Sequence, residues 1–121
     1  MNRWLLVGAV NGFSAVAAGA FAAHGLEAQV PSRALEIFQT GAQYHLTHAL
    51  AIVGTSLVRG PGATRAAVAA WLFALGIVLF SGSLYFLVLA NSNALVLATP
   101  LGGVSLLAGW AALALAALKH D

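Results

Sequence analysis

Four long apolar stretches fill most of this 121-residue chain and constrain what it can fold into. A helix needs about 20 predominantly apolar residues to cross the hydrocarbon core of a bilayer, and each stretch reaches or approaches that length. A membrane β-barrel would instead require strands that alternate polar and apolar residues. The first stretch resembles a signal peptide, but polar residues interrupt it, so we expect it to be retained. The sequence predicts an all-α membrane protein with four spans, at residues 4–23, 42–58, 66–90 and 95–118.

The connections between these stretches are short and contain Gly, Pro and Asn. They predict a four-span antiparallel helical bundle in a single integral membrane domain over residues 1–121. The connection between the first two spans is longer, and Ser32 indicates the N-cap of a helix within it. Arg33 and Glu36 alternate with apolar side chains at helical spacing. We therefore expect a short interfacial helix over residues 32–40 between spans 1 and 2, with the two charged side chains toward water.

Lysine and arginine are distributed unevenly between the two sides of the predicted bundle. Arg33 alone would lie on one side, and the other side would carry Arg3, Arg59, Arg65 and Lys119. Cytoplasmic loops of membrane proteins carry the excess of basic residues. We therefore expect a multi-pass protein of the bacterial inner membrane with both termini in the cytoplasm. Residues 24–41 and 91–94 would then face outward.

The composition excludes several classes of function. Only 7% of the residues are charged, and no basic patch with interleaved aromatic residues indicates a nucleic-acid partner. The chain has no cysteine, which excludes disulfides, thiolate metal sites and dithiol chemistry. It also lacks the G-x-S-x-G, H-E-x-x-H, P-loop and dinucleotide-binding motifs. We expect a protein that is not an enzyme, uses no cofactor and has the lipid bilayer as its partner.

Small residues form stripes along the first and fourth predicted spans. The stripe of the first span consists of Gly8, Gly12, Ala15, Gly19 and Ala22, and that of the fourth consists of Gly102, Ser105, Gly109, Ala112 and Ala116. Small residues let helix backbones approach closely in lipid, where apolar burial supplies no driving force. We expect the first and fourth spans to pack closely and antiparallel. A seam between the subunits of a homo-oligomer is the alternative.

Three of the four histidines lie in or beside a polar stretch between the first two spans. His45 and His48 share one face of a helix because they are three residues apart. Other polar side chains are expected at the same, outer side, and the candidate cluster consists of His24, Glu36, Gln43, Tyr44, His45, His48, Ser81 and Tyr85. We expect His24 and His48 to belong to one hydrogen-bonded network with Tyr44 or Tyr85.

Three interpretations of this polar cluster are open. Ionisable groups inside a membrane are costly and indicate function by default, but these residues can also satisfy one another and cap helix ends. Imidazole with a carboxylate suits a Zn(II) or Cu(II) site, although the metal is not specified by the sequence. A proton or ion pathway is the third interpretation, and the predicted spans contain no Asp, Glu, Lys or Arg to support one.

Other polar residues have simpler interpretations. Asn11, Ser14, Thr55 and Ser56 are expected to bond across helices or to backbone carbonyls. His120, near the end of the chain, is expected to be solvated.

Four segments spread along the chain resemble a family of small four-helix membrane proteins of unknown function, the YgdD/YwdK and transmembrane protein 256-like family. They are residues 19–26, 43–50, 79–85 and 99–110. The resemblance implies an integral membrane protein with four spans and no established activity. It also implies that the characteristic polar positions are His24, Tyr44, His48, Ser81, Ser83, Tyr85, Thr99 and Pro100. The family motif tolerates other residues at His45, which shifts weight toward His24 and His48.

These observations lead to three hypotheses for function. The first is a non-enzymatic membrane protein that supports the assembly of a membrane partner or of the bilayer. The second is a small-ligand or metal-binding protein that uses the outer histidine and tyrosine cluster. The third is a transporter that acts as a homo-oligomer. A dry, fully hydrogen-bonded cluster favours the first hypothesis, and an accessible cleft favours the others.

Overall fold

The computed structural model describes residues 1–119, which form four long helices and no strand. The helices are α1 at Arg3–His24, α2 at Ser32–Ser56, α3 at residues 63–89 and α4 at Ala98–Ala117. Within α3, a π-helical turn at Ile77–Ser81 joins the α-helical segments Ala63–Gly76 and Gly82–Leu89. The prediction of an all-α protein is confirmed. His120, expected to be solvated, lies outside the described residues.

Three of the four helices are long and apolar enough to cross a membrane. With their adjoining 3₁₀ turns, these segments are Arg3–Ala28, Gly60–Leu89 and Ala98–Ala117. α2 carries more polar residues and is not in this group, although its 25 residues correspond to a length of about 37 Å. Three of the predicted spans therefore have the character of membrane spans, and the second span stays a prediction.

The prediction that residues 32–40 are helical is confirmed, but they do not form a separate interfacial helix between spans 1 and 2. Instead, they continue without a break into the second predicted span as part of α2. Pro31, in extended conformation, takes the N-cap position predicted for Ser32. The helix passes through Gly41 because tertiary packing favours a straight course: Phe38 is buried at 3% exposure, in a cluster with Ala22 of α1.

Helices that follow one another in the sequence pack side by side. α1 packs mainly on α2, α2 also contacts α3, and α4 packs mainly on α3. The chain ends meet the central helices at one end of the bundle, where Asn2 Nδ2 donates to Ser56 O at 3.4 Å and Arg65 Nη1 donates to Leu115 O at 2.9 Å. Trp4 and Trp71 form an edge-to-face pair at the same end, with ring centroids 5.1 Å apart.

The predicted pairing of the first and fourth spans is wrong, because each packs mainly on its neighbour in sequence. Short connections favour this outcome, since they join antiparallel neighbours directly. The buried small residues of α1 are Gly8, Ala15 and Ala22, a seven-residue spacing typical of a left-handed helix–helix seam. Gly12 and Gly19 lie beside this seam, and no neighbouring atom lies within 4 Å of a Cβ placed on either.

The small-residue stripe of α4 does form a packing surface, and it faces α3. A Cβ on Gly109 would lie 2.7 Å from the ring of Phe73. A Cβ on Gly102 would overlap backbone atoms of Leu79 and Phe80 in the π-helical turn. The absence of side chains at these two positions therefore sets how closely α3 and α4 approach each other.

We predict opposite outcomes for two glycine-to-alanine substitutions in helices. Gly102→Ala should lower the free energy of unfolding by about 1–3 kcal/mol, because the atoms in its way are backbone and cannot rotate aside. Gly12→Ala should leave stability unchanged or raise it by up to about 1 kcal/mol, because its Cβ meets open space and alanine is the better helix former. Unfolding in detergent would measure both, and equal stabilities would contradict the assigned seams.

Candidate functional site

The imidazole of His45 connects α2 to both α1 and α3. Its Nε2 lies 2.9 Å from Asn11 Oδ1 in α1, and its Nδ1 lies 3.0 Å from the Tyr85 hydroxyl in α3. The residue is buried, with 7% of its surface exposed. Both ring nitrogens are therefore occupied by partners from other helices, and a neutral imidazole has no further hydrogen-bonding capacity.

His48, one turn further along α2, connects this helix to α4. Trp110 Nε1 donates to His48 Nε2 at 3.0 Å, and His48 Nδ1 lies 2.7 Å from the Tyr44 carbonyl oxygen. The rings of Phe73 and Trp110 surround the imidazole at centroid distances of 5.6 and 5.8 Å. His48 is thus saturated by hydrogen bonds and enclosed by aromatic side chains.

The partners fix opposite tautomers for the two histidines. A carbonyl only accepts and an indole N–H only donates, so His48 must carry its proton on Nδ1. Asn11 Nδ2 donates to the Val7 carbonyl at 2.9 Å, which turns its Oδ1 toward His45. His45 must therefore carry a proton on Nε2, and a neutral His45 ring accepts the hydroxyl proton of Tyr85 at Nδ1. All of these hydrogen bonds are satisfied with both imidazoles neutral.

Two serines of α3 make further hydrogen bonds beside this network. Ser81 is completely buried, and its hydroxyl donates to the Gly41 carbonyl of α2 at 2.7 Å. The Ser83 hydroxyl donates to the Phe80 carbonyl at 2.8 Å. Its oxygen lies 2.5 Å from Thr99 Oγ1, so Thr99 must be the donor in that bond. These contacts bind the π-helical turn of α3 to α2 and to the start of α4.

Four of the predicted cluster residues lie at exposed positions. One of them, Tyr44, is 44% exposed, but its ring packs against His48 and Phe80. The other three lie apart from the histidine network. Glu36 pairs with Arg33 at 3.5 Å, and both side chains are mostly exposed. Gln43 is exposed on α2. His24 is exposed at the end of α1, and its side chain takes part in none of the hydrogen bonds found among residues 1–119. The structure therefore brings together Tyr44, His45, His48, Ser81 and Tyr85. It does not bring His24, Glu36 and Gln43 into this group.

The predicted network joining His24 to His48 is wrong. Ala22 lies on the buried seam of α1, and two further residues rotate the chain by about 200° around the helix, so His24 points away from the bundle. His45 is the imidazole that joins three helices, and His24 joins none.

Sequence reasoning did not identify Asn11 and Trp110 as partners of the two histidines, although it did predict that Asn11 bonds across helices or to a carbonyl. Asn11 occupies the heptad seam of α1 between Gly8 and Ala15, and this phase is the signal that could have identified it. No local pattern marks Trp110, which meets His48 across 62 residues of sequence.

The simpler expectation for polar residues is confirmed: Ser14, Thr55 and Ser56 donate to carbonyls of their own helices, and Asn11 bonds both to a carbonyl and across to α2.

A cleft of about 710 Å³ opens sideways between α2 and α4. Phe80 of α3 forms part of its inner wall. The α2 side consists of Gln43, Tyr44, Thr47 and His48, and the α4 side consists of Pro100, Gly103, Val104, Leu106, Leu107 and Trp110. Most of this lining is apolar or aromatic. The cleft is therefore suited to an apolar molecule rather than to an ion.

The buried polar side chains make their hydrogen bonds within the fold. Within residues 1–119, no buried side-chain nitrogen or oxygen atom lacks a hydrogen-bond partner. In the same part of the chain, no three His, Asp or Glu side chains converge in a way that could hold a metal ion. What the arrangement leaves available is the cleft and the lipid-facing surface.

Comparison with known proteins places the chain among membrane proteins. A family model described as a protein of unknown function (DUF423) matches residues 18–103. The chain is 41% identical to the UPF0382 membrane protein YwdK of Bacillus subtilis, over 99% of both chains. It is 40% identical to the UPF0382 inner membrane protein YgdD of Escherichia coli, over 98% of this chain and 92% of the relative. No solved structure matches.

Proposed function

Because the chain belongs to the DUF423 family of UPF0382 membrane proteins, we propose that it is a non-enzymatic protein that acts through its lipid-facing surface. Its role is to support the bilayer or the assembly of a partner within the bilayer. The proposal places four spans in the bacterial inner membrane, with α2 as the second. The printed name of the E. coli relative, an inner membrane protein, supports this location.

One observation carries the proposal. His45 and His48 are the buried ionisable side chains that a catalytic or metal centre would use, and each has both ring nitrogens bonded within the fold. A general base or a metal ligand needs a free nitrogen lone pair facing a substrate or an ion. The two histidines accordingly act as structural links between helices.

The orientation proposal rests on the distribution of charge. Arg3, Arg59 and Arg65 lie at the end of the bundle where α1 begins and α2 ends, and Lys119 follows α4 at the same end. The other end carries Arg33 with Glu36 beside it. By the positive-inside rule the first end is cytoplasmic, and the α1–α2 and α3–α4 connections face outward.

Cysteine labelling tests this orientation without background, since the chain has no cysteine. Ser92→Cys lies in the α3–α4 connection, and Thr64→Cys lies in the exposed first turn of α3. An impermeant maleimide added to intact cells or spheroplasts should label the first variant and spare the second. Permeabilised cells should give labelling of both, which controls for accessibility. Labelling of Thr64→Cys alone in intact cells would reverse the assignment.

A second candidate function is the binding of a small amphiphile, and the cleft between α2 and α4 favours it. Its volume of about 710 Å³ lies within the range of about 300–1,000 Å³ found for ligand pockets. The lining combines aromatic rings with a few polar groups, as in such pockets. This function is compatible with a non-enzymatic role, because the occupant would lie against the histidine network without replacing any of its bonds.

Thermal unfolding with and without metal separates a structural histidine network from a metal site. We predict that His48→Ala lowers the free energy of unfolding by about 2–4 kcal/mol, because it leaves a cavity and removes the bond to Trp110. His24→Ala, the exposed control, should change it by less than about 0.5 kcal/mol. Zn(II) or Cu(II) should stabilise none of the proteins. Metal-dependent stabilisation of the wild type that His48→Ala abolishes would overturn the proposal.

A further inference from the structure

The cleft between α2 and α4 is the larger of two cavities that share a wall residue. A second cavity of about 370 Å³ lies beside it and shares the wall residue Phe80. The second cavity is lined by Arg33, Glu36, Ile37, Thr40, Phe80, Leu84 and Thr99. The α2 residues of both cavities follow one another at three- and four-residue spacing, so they lie on one face of the helix. Together the cavities form a groove from Arg33 to Trp110.

The length of this groove matches one leaflet of a bilayer. On α4 the lining runs from Thr99 to Trp110, and the eleven steps between these residues correspond to a rise of about 16 Å. The hydrocarbon core of a bilayer is about 30 Å thick, so the groove covers about half of it. Within the described residues, the α4 lining of these cavities ends at Trp110, where the indole bonds to His48 and ties the two walls together.

The shape of the groove favours a chain over a helix. A transmembrane helix is about 10–12 Å wide and crosses the full thickness of the membrane, so a groove that ends midway would match only half of it. The walls include the rings of Tyr44, Phe80 and Trp110. They also include Gly103, which has no side chain and where an added Cβ would only touch the Phe80 ring, at 3.9 Å. These features suit a single flexible hydrocarbon chain.

The mouth of the groove carries one charge of each sign. Arg33 and Glu36 both line it, and their side chains are 81% and 66% exposed with a separation of 3.5 Å. A surface pair of this kind contributes little to stability, so each partner is free to exchange its bond for one to a ligand. Arginine binds phosphate through its planar fork of donors, and a carboxylate binds an ammonium group. The mouth therefore complements a headgroup that contains both.

We propose that this groove binds one acyl chain of a zwitterionic phospholipid, with the headgroup phosphate at Arg33 and the headgroup ammonium at Glu36. The lipid belongs to the leaflet on the side of the α1–α2 connection. This inference rests on the proposed lipid-facing function and names its ligand. The proposed function and the groove can be refuted independently. Metal-dependent stabilisation would overturn the general function, whereas lipid binding by groove variants tests the groove alone.

Native mass spectrometry of delipidated protein tests the groove. The protein in mild detergent is mixed with equal amounts of phosphatidylethanolamine and phosphatidylglycerol that have different chain masses. We expect the wild type to retain one phospholipid, predominantly phosphatidylethanolamine. Gly103→Leu should fill the groove and lower the lipid-bound fraction about tenfold, whereas Gly12→Leu, a control outside the groove, should not. Val104→Phe, at an exposed wall position, is the second variant if Gly103→Leu fails to fold.

The headgroup assignment has its own variant. Replacing both charged residues, Arg33→Gln with Glu36→Gln, should keep one lipid bound and abolish the preference for phosphatidylethanolamine. Equal lipid retention by folded Gly103→Leu and wild type would overturn the groove as the binding site, as would a stoichiometric protein subunit bound there in place of lipid. An unchanged headgroup preference in the double variant would overturn the roles of Arg33 and Glu36.

Discussion

The hydrogen bonds of two imidazoles on α2 hold the four helices together. In lipid, apolar side chains gain little by moving from solvent to a neighbouring helix, so close backbone packing and interhelical hydrogen bonds determine which helices associate. His45 reaches Asn11 of α1 and Tyr85 of α3, and His48 reaches Trp110 of α4. α2 thereby contacts each of the other helices through specific polar bonds. It is the most polar of the four helices, and its polar side chains are used for these contacts.

This arrangement also determines where function can reside. Both ring nitrogens of each imidazole are hydrogen-bonded within the fold. Neither ring therefore has a free lone pair to bind a metal or to accept a proton from a substrate. The remaining features are on the outside, namely the groove between α2 and α4 and the face of α1 at Gly12 and Gly19, where an added Cβ would meet no atom within 4 Å. His48 and Trp110 belong both to the hydrogen-bond network and to the groove, since the bond between them supports the bundle and their rings line the groove. A bound acyl chain would consequently lie directly against the structural network.

The sequence predicts the helices well because apolar length is a local property, and it predicts the residues of the polar cluster better than their partners. The runs of apolar residues place α1, α3 and α4 and the second half of α2. Tyr44, His45, His48, Ser81, Ser83 and Tyr85 do converge. The phase of α1 could not be read from composition, because Gly12 and Gly19 are as small as the buried Gly8 and Ala15. The pairing of His48 with Trp110 depends on how α4 folds back, which no local spacing encodes.

The protonation of the two buried histidines is the most direct test of this account. Solid-state ¹⁵N NMR of histidine-labelled protein in bilayers distinguishes the two neutral tautomers and the charged ring, and His45→Asn and His48→Asn variants assign the signals. Near neutral pH we predict two neutral rings with opposite tautomers, protonated on Nε2 in His45 and on Nδ1 in His48. An imidazolium at either position, or the same tautomer at both, would contradict the network that holds the helices together.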